Sequence, residues 1–140
     1  MILYVDTSSL VKVFVPEQGY QETRALVSHA QRVATSVVTY VEMWSALSRK
    51  LRNGESRPSE YQRYLDQFET YWPLISAVPL DGDLTHIAAR LAQRHGLRAL
   101  DAIHLASAVY LTQRVDEPLM FSCADTTLRT AAAREYLTAV

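Results

Sequence analysis

Ile2-Leu3-Tyr4-Val5-Asp6-Thr7-Ser8-Ser9 stands at the head of the chain. Its apolar run reads as a buried strand, and the Asp-Thr-Ser-Ser behind it is a helix-start sequence. The same pattern returns downstream. Val33–Ser36 and Ile75–Pro79 are weaker strand segments, and Leu119–Ser122 is another behind Pro118. Helical stripes lie between them. Leu10, Val11 and Phe14 begin the first, which Pro16 ends, and a second spans about Tyr20 to Gln31. Val41, Trp44, Leu47 and Leu51 step along one face of a third, and Tyr61, Tyr64, Leu65, Phe68 and Trp72 form a fourth after Arg57-Pro58-Ser59. Leu84, Ile87, Ala88, Leu91 and Ala92 form the next, with Gly96 placed to end it. Ala102–Leu111 is apolar almost all round, the mark of a helix buried on several sides. Short strands alternating with helices predict an α/β fold with a parallel sheet covered on both faces.

Size and composition narrow the function classes. The 140 residues suit one domain, 1–140, without repeats or linkers. Such a chain buries roughly 68–70% of its unfolded surface and needs no staples. Fourteen Lys+Arg against fifteen Asp+Glu exclude a broadly basic nucleic-acid coat, though not a local patch. A single cysteine, Cys123, cannot close an intramolecular disulfide, which suits a reducing, cytoplasmic setting. The run before Asp6 is too short for a signal peptide or membrane anchor. The four glycines are isolated, so neither a P-loop nor a GxGxxG cradle exists.

Four acids fall where chemistry is expected. Ligands of open α/β sheets bind beyond the carboxyl ends of the strands. Asp6 follows the first strand, Asp125 follows the last, Asp101 opens the buried helix, and Glu42 lies in the first turn of the third helical segment. Gathered in one cleft, these carboxylates would repel one another unless a cation neutralised them. An all-oxygen donor set suits Mg²⁺ or Mn²⁺. Capping is the competing reading. Asp6, Asp101 and Asp125 stand at helix starts, and Thr39-x-x-Glu42 is a capping box.

These residues resemble the PIN-domain family, and within it the VapC-type toxins of toxin–antitoxin pairs. Tyr4-Val5-Asp6-Thr7-Ser8-Ser9-Leu10-Val11-Lys12 is similar to the family's first motif, and Glu42 with Ala46-Leu47 to its second. Leu97-Arg98-Ala99-Leu100-Asp101-Ala102-Ile103-His104-Leu105-Ala106-Ser107-Ala108 is the most specific match, and Cys123-Ala124-Asp125 with Leu128 and Ala131-Ala132 resembles the last. The resemblance implies a three-layer α/β/α domain with a short central parallel sheet. It implies a metal-dependent endoribonuclease with Asp6, Glu42, Asp101 and Asp125 as acidic site and metal ligands. It also implies Mg²⁺ with Mn²⁺ able to substitute, an RNA substrate, a homodimer and a cognate antitoxin that covers the site. Cys123 stands where relatives often carry Thr or Ser, and Ser122 or Thr127 are the hydroxyls that would replace it. Tyr136–Val140 is expected to form a short version of a final edge strand. A structure-specific DNA nuclease and a catalytically silent module whose acids only cap helices are the alternatives.

Other residues carry double readings. His104, three residues after Asp101, either orients a ligand or is a hydrogen-bonded core histidine. His29, His86 and His95 are expected to be solvated. Thr7 and Ser8 support Asp6 or cap the helix. Asp81 and Asp83 flank Gly82 as turn and cap residues. Arg49, Lys50 and Arg52 meet RNA phosphates or, as the favoured reading, complement a helix C-terminus. The aromatic residues at helical spacing read as core or interface.

Overall fold

A computed structural model describes residues 1–140. Five parallel strands form one sheet: β1 (Ile2–Val5), β2 (Arg32–Ser36), β3 (Ser76–Val78), β4 (Leu119–Ser122) and β5 (Thr138–Ala139), in the order β3-β2-β1-β4-β5. The expected edge strand at the C-terminus is therefore present, with Met120 opposite Thr138 and Phe121 opposite Ala139. Seven helices cover the sheet: α1 (Thr7–Phe14), α2 (Tyr20–His29), α3 (Thr39–Arg52), α4 (Pro58–Tyr71), α5 (Gly82–His95), α6 (Ala99–Thr112) and α7 (Thr126–Arg134). No helix is long and apolar enough to cross a membrane.

Strand alternation divides the core in two. Ile2 and Tyr4 of β1 point into a cluster with Leu84, Leu105, Phe121 and Leu128, under α5, α6 and α7. Leu3 and Val5 point the other way, to Leu10, Met43, Leu47 and Phe68 under α1, α3 and α4. Burial on both faces explains why β1 is an unbroken apolar run rather than an alternating one. The result is a three-layer α/β/α arrangement.

Two local expectations are corrected. The buried face of α3 is Thr39, Met43 and Leu47, while Val41 is 69% exposed and Trp44 38% exposed. The apolar period runs half across the helix because Trp44 packs sideways on Tyr40 and donates Nε1–H to Glu69. His95 is not solvated: its side chain is 5% exposed and Nε2 lies 2.7 Å from Glu135 Oε1. Gly96 ends α5 in the left-handed region at φ 65°, where a side chain would be strained.

Candidate active site

The strand order reverses between β1 and β4, and the crevice at such a switch point is where open parallel sheets bind ligands. Asp6 leaves β1 at that point, and its backbone N–H bonds Ser122 O at the end of β4. Asp6 caps α1, with Oδ1 accepting the Ser9 N–H at 2.9 Å, and Asp125 caps α7, with Oδ2 accepting the Leu128 N–H at 2.8 Å. For these two acids, capping and presentation at the crevice are one act.

Glu42 and Asp101 do not cap. The N-cap of α3 is Val38, without a side-chain bond, and the Thr39 hydroxyl turns to Thr35 at 2.7 Å. The N-cap of α6 is Arg98, which puts Asp101 inside the first turn rather than at the start. Both expected caps are therefore absent. Glu42 Oε1 instead accepts the Thr7 hydroxyl at 2.7 Å and lies 2.8 Å from His104 Nε2. A carboxylate only accepts, so His104 donates from Nε2 to Glu42, and its Nδ1 lies 3.0 Å from the Tyr4 hydroxyl. His104 is thus both a buried core histidine and the group that orients an acid. Burial raises the Tyr4 phenol, so it stays protonated.

The electrostatics couple two of the acids, Asp6 and Asp101. Burial pushes the Asp6 carboxyl above its ordinary value and the charge of Asp101 adds to that, against His104, the Ser8 hydroxyl and the Ser9 N–H. Burial also raises Glu42, but the bonds from His104 and Thr7 outweigh it and hold that carboxyl below its usual range. Asp101 and Asp125 wall one cavity of about 280 Å³, and Glu42 lines a neighbouring one with Thr7 and Ser8. Ser8 ties two strand ends together: its hydroxyl donates to Asp6 and accepts the Ala124 N–H at 3.2 Å.

No group of three or more His, Cys, Asp or Glu side chains is close enough to cage a cation unaided. The donor chemistry nonetheless fits one. Protein hydrogen bonds reach Glu42 at Oε1 and Asp125 at Oδ2, leaving Oε2 and Oδ1, while Asp101 meets only Arg98, 3.5 Å from Oδ2. Free carboxylate oxygens around an open cleft suit a hard cation that keeps much of its water. Cys123 is buried and its thiol is pushed up to about 12, chiefly by burial and then by the Asp6 charge, so it is a neutral neighbour. Ser122 does not replace a hydroxyl in the cleft, because its Oγ is 2.9 Å from Ser9 Oγ in the core. Thr127 does line the cavity of Asp101 and Asp125.

A doubly covered parallel sheet with acids beyond its carboxyl edge defines the class: a three-layer α/β/α protein whose strand order reverses between β1 and β4. The PIN domain family model matches residues 3–127. A relative named Ribonuclease VapC45, from Mycobacterium tuberculosis, is 32% identical over 77% of this chain and 75% of its own length. Ribonuclease VapC3 of Pyrobaculum aerophilum is 28% identical over 77% and 82%. The chain belongs to the PIN domain family and to its VapC-type branch. Among solved structures, FitAcB from Neisseria gonorrhoeae has the same fold, with a TM-score of 0.72 and 21% identity over 99% of this chain and 96% of that one. A toxin–antitoxin complex from Klebsiella pneumoniae matches at 0.62 and 19% over 89% of this chain and 87% of that one.

Proposed function

We propose that the chain is an endoribonuclease, the toxin of a toxin–antitoxin pair, hydrolysing RNA phosphodiester bonds at Asp6, Glu42, Asp101 and Asp125. The observation that supports the reading is that Glu42 and Asp101 line two adjacent open cavities without capping a helix. A module whose acids only cap would have no use for them there. The names of the relatives support RNA as substrate, and the toxin–antitoxin neighbours support a protein antitoxin as partner. A homodimer and a cytoplasmic location complete the proposal.

The four acids would hold a divalent ion, Mg²⁺ with Mn²⁺ able to substitute, which supplies polarisation of the phosphate and a water of lowered pKa. The chain's own residues do the rest. Thr7 and His104 fix the Glu42 carboxylate from two sides. Ser8 and the first turn of α1 hold Asp6. Arg98, 86% exposed beside Asp101, meets the negative charge of the phosphate. Purified protein given RNA or branched DNA, each with and without Mg²⁺, tests the reading. RNA cut only with metal supports it; branched DNA cut in preference to RNA, or cutting that persists in EDTA, overturns it.

A further inference from the structure

We infer that the cleft is the middle of a longer track for single-stranded RNA, in which Arg49 and Arg134 grip phosphates on opposite sides of the acids. This rests on the ribonuclease reading and extends it. Three cavities lie in series. The first, about 540 Å³, includes Glu42, Ser45 and Arg49. The second, about 280 Å³, holds Asp101 and Asp125. The third, about 210 Å³, is bounded by Thr130 and Arg134. Arg98 lines the first and second, and Thr127 the second and third, so each cavity shares a wall with the next.

Helix geometry makes the two arms. Glu42, Ser45 and Arg49 are spaced by three and four and share one face of α3, with Arg49 about 10 Å beyond Glu42. Thr127, Thr130 and Arg134 repeat that spacing on α7, with Arg134 about 14 Å from Asp125. Both arginines are exposed. The ion-paired cations are others: Lys50 is held by Glu17 and Glu55, and Arg94 by Glu135. The cations of α3 therefore divide, with Lys50 tied to Glu17 and Glu55 and Arg49 facing the cavity of Glu42. A polyanion meets repulsion at the acids and attraction at both ends, which sets it across the cleft. The Thr127 hydroxyl is a further phosphate donor on the second arm, whereas that of Thr130 turns back to the Thr126 carbonyl at 3.0 Å.

The strand is single because of what floors the first cavity. Val41, 69% exposed, and Leu100, 46% exposed, offer apolar surface beside Arg49. An unpaired base can lay its face there, whereas duplex RNA keeps those faces stacked inside.

Fluorescence anisotropy of a labelled single-stranded RNA tests this, with EDTA present to prevent cutting, between about 50 and 200 mM KCl. On single strands each phosphate contact contributes about 0.7 to the slope of log K against log salt. Arg49→Ala and Arg134→Ala are each expected to weaken binding and reduce the slope by about 0.7, and the double variant by about 1.4. Arg63→Ala, on α4, is the control and should change neither. Unchanged slopes in both single variants overturn the track and leave the arginines a helix-end role, visible as a lower Tm alone. Absence of RNA binding, or duplex RNA bound as tightly as single strands, overturns it too. Slopes that fall although the protein cuts no RNA would keep the track and remove the nuclease reading. Cutting with unaltered slopes would do the reverse.

Discussion

Asp101→Asn separates chemistry from stability because Asp101 holds so little of the fold together. It caps no backbone group, its side chain is 22% exposed, and its one ionic partner is Arg98, 86% exposed and 3.5 Å away. An exposed pair of that kind is worth about 0–1 kcal/mol. A carboxylate in the first turn of a helix gains about 0.3–1 kcal/mol from the dipole. Against these losses stands relief of the repulsion with Asp6, which the Asp101 charge raises. The opposing contributions leave a net change within about 1 kcal/mol, so Tm should move by no more than about 4 °C in a chain of this size. Cleavage should fall by more than about 100-fold, since even indirect supports of metal sites cost 10–100-fold when removed. Thermal melts in EDTA and a fluorogenic RNA assay with Mg²⁺ measure the two effects on one preparation. Wild-type cutting by Asp101→Asn, or a loss of activity matched by a collapse of Tm, would refute the reasoning.

Three further outcomes follow from particular residues. Cys123→Ser should keep its activity, because the thiol stays neutral and its only hydrogen bond is a long one, 3.6 Å to Asp125 O; a folded but inactive Cys123→Ser protein would point to thiol chemistry. Tyr136 sits at φ 64° with 97% of its surface exposed, so Tyr136→Gly should relieve about 1–2 kcal/mol of left-handed strain, less the entropy glycine loses, and raise Tm. Glu135 is raised by burial, but bonds from His95 and Arg94 outweigh this and hold it below the usual carboxylate range. Its stabilisation is therefore present above the unfolded value and lost as pH falls through the lower folded one, so the Tm deficit of Glu135→Gln should be full at neutral pH and close under acid conditions. A deficit constant down to pH 3 would contradict that linkage.

The parts of the fold legible in the sequence are those set by neighbours in the chain. Ile2–Val5 and Leu119–Ser122 are strands because their residues are apolar on both faces, and Asp6 and Asp125 announce themselves as caps directly beyond them. The environment of Glu42 was not legible, because Thr7 and His104 reach it from 35 and 62 residues away. The burial of His95 is hidden for the same reason: its partner Glu135 is 40 residues distant. The α3 stripe misled because Val41 and Trp44 keep helical spacing with Leu47 yet remain exposed, one at the cleft and one on an aromatic cluster. Arg49 draws notice in the sequence only as a cation beyond Glu42 on α3, and nothing there links it to Arg134, because that link depends on cavity walls shared through Arg98 and Thr127.

The most direct measurement is paramagnetic broadening of backbone amide signals by substoichiometric Mn²⁺ in the ¹⁵N-labelled chain. Four carboxylates from four separate segments form one cation site if the signals around Asp6, Glu42, Asp101 and Asp125 broaden together, while those of Arg63 and Tyr136 stay sharp. Broadening that skips any of the four segments, or that centres elsewhere on the surface, would contradict the site and the nuclease built on it.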